Sequence, residues 1–524
     1  MTRFGGPSSR RVGAAALGLV LPLVTLAVVT PAAAQADPSV AVVTVDADSP
    51  GREIPADFLG LSFEANLMHE QWLAPGGGNV PTLIANLGEG NLRFSANQVD
   101  RTAWIPTADT PVPDWAQGQI VTPEDLTRVG DLARSIGWSI DSGVNFGQFD
   151  PAAAADQARS ARERIGTSLR SVQIGNEPNV YIAAPVLGGG DRHPLTPESY
   201  VSDARAYREA IAAAAPGLPI EGPDTAGAGL GVPPVDAAIT DFAVWPWLQN
   251  YTAEFSAQSR FLNQHYYPFV NVAKVGVPAA VTDTVGGLPT ADSLLEWDTS
   301  HRQSDFIRRF VATAEHAGLA PVLSETNSVA KEGRAGVTDT FANALWTADY
   351  LMTAAREGIA GVNLHMQPGE CESYTLFCFD DAAAREAGTA RPNPNYYAAL
   401  AFSQLTGGQI LPTTVEAGGA HVSALAVRMP DGAVKVLVDN LDSDFTGEIA
   451  VTIAGEPTGA QHHAGTVYRL TAPTPESLDG TTFGGAVTAP DGSFSPQDGV
   501  STAEVDGSYR MAVDRPGAAL LTVS

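Results

Sequence analysis

Residues 171–178 have the sequence SVQIGNEP, in which a short apolar strand leads directly into Asn176-Glu177-Pro178. An apolar run of this length, bounded by turn-forming residues, is typical of a buried β-strand. A helix is predicted further along the chain, because Thr196-Pro197-Glu198 supplies an N-cap, a proline at the first helical position and an acid in the first turn. The segment is therefore a strand followed by a helix, the unit from which parallel sheets are built.

The same alternation extends in both directions, from about Ile54 to Leu405. Helices are predicted from Ser304 to Ala317 and from Thr338 to Glu357, because apolar residues recur along one face and a glycine follows each run. Further strands are predicted at residues 91–94, 137–144, 261–266, 321–323 and 361–364. This alternation predicts an α/β fold, most simply a (β/α)8 TIM barrel.

After Gly407-Gly408 the pattern changes to short apolar runs separated by turns, with almost no helical periodicity. Strands are predicted there at residues 422–427, 434–438, 447–453 and 518–523, and a further one at residues 39–45. We therefore expect a C-terminal antiparallel β-sandwich domain that the N-terminal strand joins. The predicted divisions are 1–36 (signal peptide), 37–54 (N-terminal strand), 55–405 (catalytic barrel) and 406–524 (β-sandwich).

The amino terminus has the features of a secretory signal peptide. Residues 1–11 contain three arginines, residues 12–30 are uncharged and apolar, and Ala34-Gln35-Ala36 offers small residues at a cleavage site. The sequence thus predicts a secreted protein without a stable membrane anchor. An uncleaved anchor is the alternative, because the apolar run is nearly long enough to span a bilayer.

Composition narrows the possible partners. The chain of 524 residues has 30 Lys and Arg against 58 Asp and Glu, a net charge of −28, which excludes nucleic acid as an expected partner.

Two cysteines rule out a disulfide scaffold or a multi-cysteine zinc domain. Export would permit a short disulfide between Cys371 and Cys378, with two free thiols as the alternative. We expect no metal and no cofactor, because metalloprotease, P-loop and dinucleotide-binding motifs are missing from the sequence. The oligomeric state stays open.

Two glutamates carry the predicted chemistry. Glu177 follows one predicted strand, and Glu325, in Leu323-Ser324-Glu325-Thr326-Asn327, ends another. The carboxyl ends of barrel strands open onto the active-site face, so both carboxylates could face one cavity. Hydrolysis of a glycosidic bond needs such a pair, one protonated to assist the leaving oxygen and one ionised. A single glutamate at a strand end is more often a helix cap or an ion-pair partner.

Longer segments resemble a known family. The run from Ser324-Glu325-Thr326-Asn327-Ser328 through residues 336–346 to Asp349-Tyr350-Leu351 is similar to glycoside hydrolase family 79, which contains β-glucuronidases and heparanase-like endo-β-glucuronidases. Asn176-Glu177-Pro178 resembles the acid/base motif of the wider clan of (β/α)8 glycosidases. Residues 59–64, 264–268 and 361–365 also fit the family.

The resemblance implies a role for several residues. Glu177 would be the acid/base and Glu325 the nucleophile of a retaining, double-displacement mechanism. Glu64 and Asn176 would hold sugar hydroxyls, and Tyr266 or Tyr267 would hydrogen-bond the nucleophile. The structural alternatives are a capping or ion-pair role for Glu64 and aromatic packing for the tyrosine pair. His265 and His365 are interpreted as core histidines.

The sequence departs from the family in two loops. Ser95-Ala96 replaces the glycines of relatives, although Asn97 is retained as a candidate sugar contact. In the loop after the nucleophile, Ala330 and Lys331 stand where characterised relatives bind the uronate carboxylate partly through tyrosine. Candidate carboxylate ligands are therefore Lys331, Arg334 and Tyr374, with solvated loop charges as the alternative for the first two.

The sequence as a whole predicts a secreted, retaining, exo-acting β-glucuronidase that releases glucuronic acid from glycans or glycosides. Two alternatives remain. One is a retaining β-glycosidase that uses the same scaffold on a neutral sugar. The other is a barrel that binds glycans without cleaving them.

Overall fold

The computed structural model describes residues 40–183, 194–227, 241–275, 288–455, 464–513 and 515–524. The predicted signal peptide lies outside the described residues. None of the helices within these ranges is long and apolar enough to cross a membrane.

A parallel sheet forms the wall of a barrel. Its strands are β1 (Leu59–Glu64), β2 (Asn91–Ser95), β3 (Ser139–Val144), β4 (Leu169–Ile174), β5 (Ile220–Glu221 and Pro223–Thr225), β6 (Phe261–Tyr266), β7 (Ala320–Thr326) and β8 (Gly361–His365). The first half of β5 pairs with β4 and the second half with β6, while β8 pairs with β1. The sheet is thereby brought nearly to closure, which confirms the predicted (β/α)8 barrel.

Helices surround this wall and follow the strands in turn. They are α1 (Val80–Ala85), α2 (Pro123–Ile136), α3 (Pro151–Ile165), α4 (Pro197–Ala214), α5 (Trp245–Phe255), α6 (Ala291–Leu295), α7 (Trp297–His316), α8 (Phe341–Glu357), α9 (Ala382–Ala387) and α10 (Pro394–Ser403). Thr196 caps α4 as predicted, through a capping box with Ser199. The predicted start of α7 at Ser304 was wrong. The buried face of α7 continues back to Thr299, so the helix begins at Trp297.

Two further sheets pack as a sandwich around a shared apolar core. One contains, in order, Thr413–Glu416, Val40–Asp46, Glu448–Ala454, Ser508–Ala512 and Glu504–Val505. The other contains Gln409–Leu411, Val422–Arg428, Val434–Asn440, Gly517–Val523, Gly465–Thr471 and Thr482–Phe483, with Val500–Thr502 beside Gly465–Thr471. Strand Val40–Asp46 lies parallel to Glu448–Ala454, so the sandwich is not purely antiparallel.

The sandwich also contacts the barrel layer. The first backbone N–H groups of α8, at Phe341 and Ala342, donate to the carbonyl oxygens of Ser477 and Pro475 (2.9 and 2.7 Å). Helix N-termini leave such N–H groups without partners inside the helix, so the sandwich completes α8. A disulfide joins Cys371 and Cys378 in the loop that follows β8 (S–S 2.02 Å).

Candidate active site

The barrel brings the two predicted catalytic glutamates together at the carboxyl ends of its strands. Glu177 lies just beyond β4 and Glu325 lies in β7. One carboxylate oxygen of each, together with one ring nitrogen of His265, fall within 4.8 Å of one another. The side chain of Glu177 is 13% exposed and that of Glu325 only 3%, so Glu177 is nearer to the opening. The two acids therefore share one pocket but differ in their access to solvent.

A left-handed turn places Glu177. Gly175 has φ +69° and Glu177 has φ +50°, so the chain turns sharply where β4 ends. A Cβ on Gly175 would lie 2.6 Å from the side chain of Phe146, which excludes a larger residue there. The Glu177 amide donates to the carbonyl oxygen of Asp224 (2.9 Å), and its carboxylate lies 3.0 Å from Nδ1 of His265. Both ends of Glu177 are thus held by the neighbouring strands β5 and β6.

Arg93 on β2 is the buried cation of the site. Its side chain is fully buried, and its guanidinium reaches across the barrel to β7. Its hydrogen-bond acceptors are Glu325 Oε2 (2.9 Å), Ser62 Oγ (2.9 Å), Asn176 Oδ1 (2.9 Å) and Gln173 Oε1 (2.7 Å). Asp224 lies 3.5 Å from the same guanidinium. One arginine therefore fixes the carboxylate of Glu325 and the amide of Asn176 together.

Glu325 is held ionised. The hydroxyl of Tyr267 donates to its Oε1 (2.9 Å), opposite the contact with Arg93. Burial opposes ionisation, but His365, His265 and Arg93 outweigh it and lower the pKa of Glu325 to about 2. Burial lowers the pKa of His365 itself, so at neutral pH the positive charge beside Glu325 comes from Arg93 and His265. The carboxylate is a fixed anion, as a nucleophile requires.

His265 on β6 connects the acids. Burial opposes its protonation, but Glu325, Asp224 and Glu177 raise the pKa of His265 to about 9. Its Nε2 lies 3.6 Å from Asp224 and its Nδ1 lies against Glu177. Glu177, His265 and Glu325 are also residue types that bind divalent metals, but a metal ligand must be a neutral imidazole. A metal ion at this position would therefore have to displace a proton from His265.

Glu64 at the end of β1 has different surroundings. Its Oε2 accepts a hydrogen bond from the amide of Gln98 (2.6 Å), and its Oε1 lies 4.0 Å from His365. Burial raises the pKa of Glu64 to about 8, assisted by Glu325 and opposed by the Gln98 amide. At neutral pH Glu64 is thus a carboxylic acid, which can both donate to and accept from a sugar hydroxyl.

These pKa values predict that the protein loses stability as the pH rises from 4.5 to about 9. A group whose pKa is raised by folding contributes stability that is full below its unfolded pKa and lost as pH rises through the folded value. For Glu64 that window runs from 4.5 to about 8, and for His265 from 6.5 to about 9. Glu64→Gln should flatten the loss between pH 5 and 8, as measured by urea midpoints at each pH. An unchanged slope in the variant would contradict this assignment.

The other candidate residues divide into those at the site and those beside it. Asn176 bonds Arg93, and its Nδ2 lies 3.5 Å from Oδ1 of Asn97. The ring of Tyr374 is buried 6.2 Å from that of Tyr267. Tyr266 is elsewhere, because its ring stacks on Phe306 of α7 (4.2 Å). The structure therefore brings Asn97, Asn176, Tyr267 and Tyr374 to the glutamates, but not Tyr266.

Lys331 and Arg334 lie in the loop after β7. Arg334 donates to the carbonyl oxygen of Pro289 (2.6 Å). Lys331 has φ +65°, and its ammonium has no hydrogen-bond or ion-pair partner among the described residues. A Cβ on the nearby Gly333 would lie 3.1 Å from the amide of Tyr374, so this loop packs against the tyrosine beside the site. Lys331 thus lies two residues from the loop position that packs on Tyr374, and its charge has no partner among the described residues.

Four site residues escaped the sequence analysis: Arg93, Asp224, and the positions of His265 and His365 beside the carboxylates. Arg93 stands within the apolar run Asn91-Leu92-Arg93-Phe94, and a charge in a buried strand requires a buried partner. That signal was available, although it does not identify the partner. His265 was interpreted as a core histidine bonded to the backbone, whereas its ring contacts two carboxylates.

The sequence matches no protein-family model and no curated protein. Solved structures nevertheless share its fold over most of the chain. A 4-O-α-L-rhamnosyl-β-D-glucuronidase from Fusarium oxysporum 12S, solved with Rha-GlcA, is 19% identical, with a TM-score of 0.69 over 91% of this chain and 100% of that chain. A family 51 arabinofuranosidase from Xanthomonas axonopodis pv. citri is 15% identical, with a TM-score of 0.63 over 92% and 99%.

A family 44 endoglucanase from Clostridium thermocellum is 12% identical, with a TM-score of 0.58 over 93% of this chain and 100% of that chain. All three structures are glycoside hydrolases. The chain therefore has the fold of (β/α)8 glycosidases that carry an additional β-domain.

Proposed function

We propose that this protein is a secreted, retaining β-glycosidase, and specifically an exo-acting β-glucuronidase that releases glucuronic acid. The observation that carries the proposal is the pair of carboxylates at the ends of β4 and β7, with oxygens within 4.8 Å and Glu325 ionised. Retaining enzymes need carboxyl groups about 5–5.5 Å apart, whereas inverting enzymes leave room for a water at about 6.5–9.5 Å.

The geometry supports a double displacement. Glu325 attacks the anomeric carbon while Glu177 gives a proton to the glycosidic oxygen, so the leaving group departs as an alcohol and a glycosyl ester remains on Glu325. Water then attacks the same carbon, Glu177 takes its proton, and the sugar is released with its configuration retained. Arg93 and Tyr267 orient Glu325 throughout, and the hydrogen bond from His265 holds Glu177 in place.

Several observations support glucuronic acid as the sugar. The segment after Glu325 resembles family 79, and one of the proteins that share the fold is named as a β-D-glucuronidase. Lys331 offers a cation without a partner among the described residues, in the loop whose Gly333 packs on buried Tyr374. Glu64 is neutral below pH about 8, so it does not repel a uronate at neutral pH. The net charge of −28 disfavours a long polyanionic chain and favours terminal glucuronides.

A neutral sugar is the second candidate, and the charges at the pocket favour it. Glu177, Glu325 and Asp224 lie together, and the guanidinium of Arg93 is already bound by protein acceptors. A uronate would then depend on Lys331 moving to it. The same two-glutamate mechanism would operate on either sugar.

The first test is hydrolysis of p-nitrophenyl β-glucuronide, β-glucoside, β-galactoside and β-xyloside by the chain without residues 1–36. We expect kcat/KM for the glucuronide to exceed that for the others by at least about 10-fold, because a charge-assisted contact contributes about 1.5–3 kcal/mol. Preference for a neutral sugar would overturn the uronate assignment and retain the mechanism. Turnover of none of the four, nor of natural polysaccharides, would favour the non-catalytic alternative.

Glu177→Ala tests the acid/base assignment. We expect kcat for a substrate with a poor leaving group, such as methyl β-glycoside, to fall by about 10²–10⁴-fold, while a 2,4-dinitrophenyl glycoside loses far less in the first step because it departs without a proton. Glu209→Ala, an exposed glutamate of α4, is the matched control. Equal losses for both leaving groups would reject Glu177 as the acid.

A further inference from the structure

A second cavity of about 370 Å³ opens near the carboxyl ends of β2 and β3. One wall is formed by the loop after β2, residues 102–115, and the other by the loop after β3 together with the first turns of α3. None of the residues that the mechanism uses line it. The side chains that give the cavity its chemistry are Trp104, Trp115, Asn145, Gln148, Asp150 and Gln157.

A thin wall separates this cavity from the turn that carries Glu177. Buried Asp100 accepts hydrogen bonds from the amides of Phe146 and Gly147 (2.9 and 3.1 Å) and from the hydroxyl of Tyr181 (2.5 Å). Tyr181 follows Glu177 in the same turn, and Phe146 is the residue that packs on Gly175. Asn145, which lines the cavity, immediately precedes Phe146. The cavity therefore lies beside residues that pack on the turn of Glu177, on the β3 side.

The lining is suited to a sugar ring. Two indoles offer flat apolar faces for the C–H groups of a pyranose, and Trp104 is fixed by a hydrogen bond from its Nε1 to Asp156 (2.8 Å). Gln157 donates its amide nitrogen to Gly143 O (3.0 Å), and its amide oxygen has no partner among the described residues. The side-chain amide of Gln148 likewise has none there. Such uncommitted amides bind hydroxyl groups in a mostly apolar pocket.

The charge of the lining indicates which sugar. Among the described residues that line the cavity, Asp150 is the only charged one, and no lysine or arginine is present. An anionic ligand, such as a uronate or a sulfated sugar, would meet a carboxylate without a compensating cation. The cavity thus suits a neutral sugar, in contrast to the glycone proposed for the main site.

We infer that this cavity binds a neutral sugar residue of the leaving group. The inference rests on the proposed function, because an exo-acting enzyme releases only the terminal sugar, so any further sugar of the substrate belongs to the leaving group. The intervening wall puts the bound ring beyond the first leaving-group sugar. The substrate is therefore an oligosaccharide or glycan with a neutral chain, capped by the sugar that is released.

The test compares two kinds of substrate that share the released sugar. One is the p-nitrophenyl glycoside, and the others carry the same sugar β-linked to galactotriose, xylotriose or cellotriose. We expect Trp115→Ala and Gln148→Ala to lower kcat/KM on the best trisaccharide-linked substrate by about 10-fold, mainly through KM, because each tenfold corresponds to 1.4 kcal/mol of binding. Activity on the aryl glycoside should change by less than about twofold, since it has no sugar to place in the cavity.

Trp115 packs on the apolar cluster that includes Ile105, so Trp115→Ala could also disturb folding. Gln148 is half-exposed, and Gln148→Ala therefore tests the cavity without that complication. Gln249→Ala, an exposed glutamine of α5, is the matched control. Equal loss on both substrates, or no loss on any trisaccharide, would overturn the inference. If the wild-type chain hydrolyses neither the aryl glycoside nor any trisaccharide-linked substrate, calorimetric titration with the three trisaccharides tests the sugar site by itself. Binding that Gln148→Ala weakens would keep the sugar site and refute the proposed function, and absence of binding would refute the sugar site as well.

Discussion

Glu325→Gln is expected to lower kcat on the preferred β-glycoside by at least about 10⁴-fold. Removing the nucleophile of an enzyme whose catalytic residues act together lowers kcat by this factor or more. The fold should be kept, since glutamine can preserve both contacts of the carboxylate. Its amide oxygen can accept from Arg93, and its amide nitrogen can donate to the hydroxyl of Tyr267. The measurement is steady-state turnover together with the urea midpoint of the same preparation.

Two further variants serve as controls for this experiment. Glu89→Gln changes an exposed glutamate without a partner among the described residues, and it should behave as wild type. Glu325→Gly with added azide should form a glycosyl azide of inverted configuration, because the small anion enters the space that the carboxylate vacates. Full activity in Glu325→Gln would refute the mechanism. If instead Glu177→Gly with azide gave the glycosyl azide of inverted configuration, the roles of Glu177 and Glu325 would have to be exchanged.

Arg93→Met should give the second large effect, on stability as well as on activity. Breaking a buried ion pair by removing one partner costs about 3–5 kcal/mol, because the remaining charge stays buried without compensation. Here the remaining buried charge is that of Glu325, which keeps only His265 as a neighbouring cation, and Asp224 loses a neighbour as well. We expect the free energy of unfolding to fall by that amount, and kcat to fall because Glu325 and Asn176 lose their common anchor.

A double variant distinguishes this explanation from simple loss of packing. Arg93→Met combined with Glu325→Gln should be more stable than Arg93→Met alone, because the second change removes the stranded charge. Arg159→Met, which breaks an exposed ion pair with Asp156 and Glu163, should leave the urea midpoint close to that of the wild type. If the double variant were no more stable than Arg93→Met, the buried charge would not be the source of the loss.

The parts of this structure that depend on local pattern could be predicted from the sequence. Strand ends such as Ile174 and Thr326 are marked by apolar runs, and a barrel sends every strand end to one face, so Glu177 and Glu325 could be paired before any coordinates. Strand β5 could not be predicted, because Gly222 and Pro223 interrupt its few residues. Two neighbouring strands, rather than its own sequence, hold it in the sheet.

The charge contacts within the site also could not be predicted from the sequence pattern. Arg93 meets Glu325 across the barrel, and His265 meets Glu177 from two strands further along the wall. Contacts between residues so distant in sequence leave no periodic trace in either segment. The two tyrosines illustrate the same limit, because only the folded structure separates Tyr267, which donates to Glu325, from Tyr266, which packs on Phe306.

Strand Val40–Asp46 lies between Thr413–Glu416 and Glu448–Ala454, so the start of the described chain is completed only by segments made hundreds of residues later. During synthesis this apolar strand must wait until nearly all of the polypeptide has emerged, and long-range pairing of this kind is slow. A recombinant barrel cut after Leu405 would leave the strand with both edges unpaired, a template for aggregation. Shortened forms for crystallisation or enzyme production should therefore keep both ends of the sandwich.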